Sequence, residues 1–119
     1  MIALTEIAFD GLTPIDGYGP GFFRVAGQVI HGPVLVTARS ARQWGGAGDG
    51  APLLALAGQI DVLLLGTGRT IAHPPADLRE SLNAAGIGVE TMDSATAARS
   101  YNVLLSEGRR IAAALLPVD

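Results

Sequence analysis

The segment Asp61-Val62-Leu63-Leu64-Leu65 constrains the fold of this chain more than any other stretch. A strand that alternates polar and apolar residues can leave one face in water, but a near-continuous apolar strand must be covered on both faces. In α/β domains helices supply that cover. The residues that follow read accordingly. Pro74-Pro75 can open a helix, since proline lacks only an amide that is orphaned in the first turn anyway. Asp77 and Glu80 put negative charge where the macrodipole favours it, Leu78 and Leu82 share an inner face, and Gly86 stops the helix. Residues 87–92 form the next strand. Asp93 or Ser94 caps a second helix that runs to about Glu107 and ends at Gly108. Residues 109–118 close the series as an apolar strand.

Upstream the signals are shorter. Residues 1–20 read as an irregular lead-in, because Asp16-Gly17-Tyr18-Gly19-Pro20-Gly21 is dense in residues that mark loops with special backbone angles. Phe22-Phe23-Arg24-Val25 is a strand, Ala26-Gly27-Gln28 a tight turn and Val29-Ile30 its return. Val34-Leu35-Val36-Thr37 is a β-branched run suited to a buried strand. Residues 42–52 read as a flexible, glycine-rich surface loop, and 51–57 as a short helix closed by Gly58. The leading hairpin followed by alternating strands and helices predicts a single α/β domain over residues 1–119. Its expected architecture is three-layer α/β/α around a central mixed β-sheet.

Composition narrows the function classes. At 119 residues with 49% hydrophobic and 16% charged side chains, the chain is long and apolar enough to bury a core without staples. There is no cysteine, which removes disulfides, thiolate nucleophiles and zinc–thiolate sites. No apolar run approaches the roughly 18–20 residues that span a bilayer, since Gln59 and Asp61 interrupt the longest candidate. The opening residues lack the basic and apolar regions of a secretory leader, so a cytoplasmic location is expected. The 8 basic residues are all arginine and the net charge is −3. Only Arg109-Arg110 are adjacent, so the chain lacks the basic stripe that phosphate neutralisation needs, which argues against nucleic acid as a partner.

No catalytic constellation emerges from the motifs. Gly66, Thr67, Gly68 and Arg69 follow the buried strand directly, at the strand end where ligands collect in open α/β sheets. Glycines there expose amides, and Arg69 adds a charge for a phosphate or carboxylate. The third glycine of a dinucleotide fingerprint is missing, however, and no helix N-terminus is expected under the loop. A tight turn and an anion or partner site both remain open readings. His31 and His73 lie in loops without a second ligand at metal spacing. No serine sits in a nucleophile elbow, and the carboxylates are dispersed. On the second helix Ala97, Ala98, Tyr101, Leu104 and Leu105 form a core stripe, and Asn102 beside them is expected to tie a neighbouring loop's backbone.

Several blocks taken together carry a resemblance. They are Asp16-Gly17-Tyr18-Gly19-Pro20-Gly21-Phe22, Val34-Leu35-Val36, Trp44, Asp61 through Gly68, Pro75 with Leu78, Gly86-Ile87-Gly88-Val89-Glu90-Thr91-Met92-Asp93, and Ala97-Ala98-Arg99-Ser100-Tyr101-Asn102-Val103-Leu104-Leu105-Ser106-Glu107-Gly108-Arg109. The chain resembles the small domain of unknown function shared by bacterial proteins and mitochondrial complex I assembly factor 3. The resemblance implies an α/β/α fold with a mixed sheet and no catalytic residues or cofactor. It also implies protein partners, membrane-complex subunits or insertion machinery among them. The 45–50 loop looks longer and looser than the family pattern, and the absence of lysine removes any role for that side chain. The leading expectation is a non-catalytic assembly or interaction factor. Its expected binding surface combines Gly17, Tyr18 and Gly19 with the 66–69 loop and Tyr101-Asn102. The alternative is an anion-binding domain, or an enzyme, built on Gly66 to Arg69.

Overall fold

A computed structural model of the chain describes residues 7–8 and 11–119. Its main sheet has six strands in the order β1-β6-β5-β9-β7-β8. These are β1 (Ile7–Ala8), β5 (Val34–Thr37), β6 (Ser40–Gln43), β7 (Val62–Thr67), β8 (Gly88–Met92) and β9 (Ile111–Leu116). A separate three-stranded sheet joins β2 (Ile15–Gly19), β3 (Phe22–Val25) and β4 (Gln28–His31) in chain order. The helices are α1 (Ala51–Leu54), α2 (Ala76–Ala84) and α3 (Ser94–Ser106).

The mixed character of the main sheet follows from its connections. β5 and β6 form a hairpin, and β5 pairs antiparallel with β9. β9, β7 and β8 run parallel, linked through α2 and α3, as parallel strands must be by crossovers. β7 is sandwiched as its apolar run requires. Leu64 faces a core shared with Ala97, Ala98, Tyr101 and Leu105 of α3, while Leu63 and Leu65 face Leu78 and Leu82 of α2 and Leu53 of α1. The central strand β9 is built from Ile111, three alanines, Leu115 and Leu116, the first five of them buried. Its short side chains let both outer layers approach closely.

One expectation needs correction first. The lead-in is not irregular throughout, because residues 15–19 form strand β2, paired with β3; residues 1–6 and 9–10 lie outside the described residues. Three features of the sequence hide the strand. Gly17 sits at a register shift, the ring of Phe22 occupies the place a Cβ on Gly19 would take, and Asp16 and Tyr18 are exposed. The three-layer arrangement around a mixed sheet stands, with outer layers of different make-up. One is helical, from α1 and α2; the other is α3 together with the β2–β4 sheet, which contributes Ile15, Phe23, Val25 and Ile30 to the same core.

The glycine-rich loop is also shorter than residues 42–52. Arg42 and Gln43 belong to β6, and α1 starts at Ala51. Trp44 is buried and its indole donates to the Asp49 carbonyl at 2.8 Å, while the Gly45 amide donates to the Asp49 carboxylate at 3.1 Å. The expected β3–β4 turn is present, with Ala26 (φ 47°) and Gly27 (φ 83°) both left-handed, as a two-residue hairpin turn demands.

Candidate functional site

Gly66 and Thr67 end β7, and the loop after them packs on the first turn of α3. A Cβ on Gly66 would lie 2.7 Å from Leu115 Cδ2 and 2.9 Å from Ser94 Cα, so only glycine lets the helix start so near the sheet. Contrary to the sequence expectation, a helix N-terminus therefore does meet this loop; it belongs to α3, which follows β8 rather than β7. The buried Ser94 joins the two. Its Oγ donates to the Leu116 carbonyl at 2.6 Å and accepts from the Gly68 amide at 2.8 Å, and its own amide donates to the Gly68 carbonyl at 2.8 Å.

This wiring uses groups that an anion would need. The Gly68 amide is spent on Ser94, and the Asp93 carboxylate caps α3 by accepting from the Thr96 amide and hydroxyl. The Thr96 hydroxyl, then the Thr96 amide, hold the Asp93 carboxyl below its usual range, with a smaller pull from the Arg99 charge. The N-terminus of α3 thus already carries its own negative group. Thr67 Oγ1 donates to the Thr70 carbonyl at 2.8 Å and accepts from the Ala72 amide at 2.9 Å. Arg69 is ion-paired with Asp119, both at the surface.

Tyr101 and Asn102 lie about 12 Å further along α3, taking 1.5 Å per residue from Ser94. The hydroxyl of the buried Tyr101 sits 2.9 Å from the Thr37 carbonyl and 3.1 Å from that of Thr13. Burial pushes its phenol well above the ordinary value. Asn102 Oδ1 accepts from the Ile15 amide and Nδ2 donates to the Ile15 carbonyl, both at 2.8 Å. The side-chain amide treats Ile15 as a neighbouring strand would, so Asn102 ties β2 to the helix. Tyr18, the exposed member of the 17–19 segment, tilts against Phe23 at 6.4 Å between ring centroids. The structure therefore brings Tyr101-Asn102 together with β2, and the 66–69 loop with the start of α3, as two separate groups. His31 and His73 are both exposed, and no cluster of metal-ligating side chains occurs among the described residues.

Sequence reasoning missed a groove of about 580 Å³ between α3 and β8. α3 covers β9 and β7, leaving the same face of the edge strand β8 open. The groove's apolar lining comes from Val62, Leu64, Met92 and Ile111 of the sheet and from Val103, 55% exposed, and Leu104 of α3. The polar members of the lining are Arg99 and Ser100 of α3, Arg109 just past the helix end, and Glu90 of β8. The one sequence signal was Val103, an apolar residue lying off the buried stripe of α3.

Residues 15–116 match the family described as a protein of unknown function, DUF498/DUF598. The chain belongs to this family. A relative, an uncharacterized protein of Rhodobacter capsulatus, is 56% identical over 98% of this chain and 94% of its own length. Another, the NADH dehydrogenase (ubiquinone) 1 alpha subcomplex assembly factor 3 of Danio rerio, is 36% identical over 88% of this chain but only 64% of its own length. The chain thus spans somewhat less than two thirds of that assembly factor. Among solved structures, an outer membrane protein from Bartonella henselae superposes with a TM-score of 0.81 at 36% identity, covering 91% of this chain and 97% of that one. A Bordetella pertussis protein described as an Mth938-like domain superposes with a TM-score of 0.76 at 27% identity, covering 94% and 90%. The expected family and the mixed α/β fold both stand.

Proposed function

We propose that this DUF498 protein is a non-catalytic interaction factor that assists assembly of a membrane respiratory complex of the NADH dehydrogenase type. The observation that carries the reading is the inward direction of its polar side chains. Ser94, Tyr101, Asn102 and Thr67 bond to backbone of their own chain instead of converging on a point where a substrate atom would sit. Catalytic sites need the opposite arrangement, with nucleophile, base and oxyanion donors aimed at a common centre. The names of family relatives as assembly factors support the same reading. It carries the partners with it: subunits of the complex or its insertion machinery, met from the cytoplasmic side.

Deleting the gene and measuring the abundance of intact NADH dehydrogenase complex by native electrophoresis tests the proposal. The complex should fall, its subcomplexes should accumulate, and the wild-type chain should restore it. Unchanged abundance in the deletion strain would overturn the reading.

A further inference from the structure

We propose that the α3–β8 groove is the docking surface of this chain, and that its occupant is an amphipathic helix of a protein partner with acidic residues along one flank. The inference rests on the assembly-factor reading for the kind of partner and on the groove itself for the chemistry. Most of the lining is apolar, and Val103 in it has 55% of its surface exposed. A leading apolar ridge of the occupant would cover this lining.

Charge sets the flanks. Arg99 on α3 and Arg109 just past its end line the groove; Arg99 donates to Thr96 Oγ1 at 3.4 Å and feels Asp93 at a distance, and neither arginine forms a salt bridge among the described residues. Two cations beside an apolar groove, in a chain whose net charge is −3, are matched by carboxylates on the incoming segment. Glu90, on the same face of β8 as Met92, calls for a cation or a donor there. A rim of both signs fits a polypeptide carrying both, and it opposes an anionic lipid, whose headgroup would also meet Glu90.

The edge of β8 decides between helix and strand. Arg79 reaches from α2 and donates to the Val89 carbonyl at 3.3 Å and to Thr91 Oγ1 at 2.7 Å. A guanidinium on the strand edge blunts it against added strands. Side-chain packing is left as the means of docking. The groove is lined by residues 99–104 of α3 and 90–92 of β8, spans of about 8 Å and about 7 Å. It accommodates one to two turns of a docking helix.

The test uses the full chain in cells, with the photo-crosslinker p-benzoylphenylalanine placed at Val103 or, as a control, at Val29. Val29 is 46% exposed on the separate β2–β4 sheet. Position 103 should give a protein adduct whose crosslinked peptide shows apolar residues at helical spacing with acidic neighbours, and Val29 should not. Arg109→Glu in the same background should cut the adduct roughly tenfold, about what the loss of one good contact removes, without changing the melting temperature. No adduct above control, a lipid adduct, an adduct to a second copy of this chain, or a yield indifferent to Arg109→Glu would each overturn the docking proposal. These outcomes are separate from the deletion phenotype. A normal complex level in the deletion strain beside the expected adduct would remove the assembly reading and leave the groove; a lost complex with no adduct would do the reverse.

Discussion

Tyr101 offers the sharpest test of the claim that polar groups here bond inward. Its ring is fully buried, and its hydroxyl lies 2.9 Å from the Thr37 carbonyl and 3.1 Å from the Thr13 carbonyl. Tyr101→Phe keeps the ring and removes the donor, leaving carbonyls in the core short of a partner. Such a loss costs about 1–3 kcal/mol, which for a domain of this size lowers the melting temperature by roughly 4–10 °C. The pH dependence makes the test specific. Burial raises the phenol's pKa in the folded chain, so above the unfolded value near 10 the unfolded state gives up its proton while the folded state keeps it. Stability is then fully present below pH ~10 and falls above it, by up to about 1.4 kcal/mol per pH unit for one group. The chain has no lysine and no cysteine to obscure this. Urea unfolding of wild type, Tyr101→Phe and Tyr18→Phe at pH 7, 9, 10 and 11 is the assay. Wild type and Tyr18→Phe should share the alkaline decline, and Tyr101→Phe should start lower and run flatter. If Tyr101→Phe is as stable as wild type at pH 7, or declines in parallel with it, the inward hydrogen bond is not what holds this residue.

Other substitutions probe separate features. Gly66→Ala drives a methyl into Ser94 and Leu115 and should cost about 3 kcal/mol in denaturant unfolding, at the upper end for overpacking. Ala26→Asn places a residue tolerant of left-handed backbone at φ 47° and should stabilise by about 0.5–1 kcal/mol, read as a higher midpoint with unchanged slope. Asp93 has a lowered folded-state pKa, so its contribution is present above the ordinary carboxylate value and is lost as pH falls through the folded one. Asp93→Asn should flatten the acid limb of the stability curve in urea titrations between pH 5 and pH 2. Phosphate and nucleotides should leave the melting temperature unmoved; a shift abolished by Arg69→Ala would favour the anion site instead.

The second half of the fold was legible because its signals are local. The apolar run of β7, the stops at Gly86 and Gly108 and the Asp93 cap each act within a few residues, and α2, β8 and α3 fall within two residues of where the sequence places them. Strand β2 was not legible, since its glycines answer to tertiary demands: Gly19 makes room for Phe22, and Gly17 absorbs a register shift. The same holds at the candidate site. The backbone tie of Asn102 could be inferred from an amide beside a core stripe, but its partner Ile15 lies 87 residues away. The sequence left the cap to Asp93 or Ser94; Asp93 caps, and Ser94 joins the start of α3 to Gly68 and Leu116, a role its position alone did not signal. The groove was invisible because no residue run encodes it; it exists where α3 turns away from an edge strand.

The placement of β9 bears on how the domain is made. It pairs with β5 on one side and β7 on the other, yet it follows every other described element in the chain. During synthesis the β5–β6 hairpin and the β7–β8 pair leave the ribosome with no strand to bridge them. Their apolar flanks must wait until residues 111–116 emerge. Folding of this domain is therefore gated by its last strand, and a ribosome stalled before residue 111 holds out two unjoined half-sheets that need shielding.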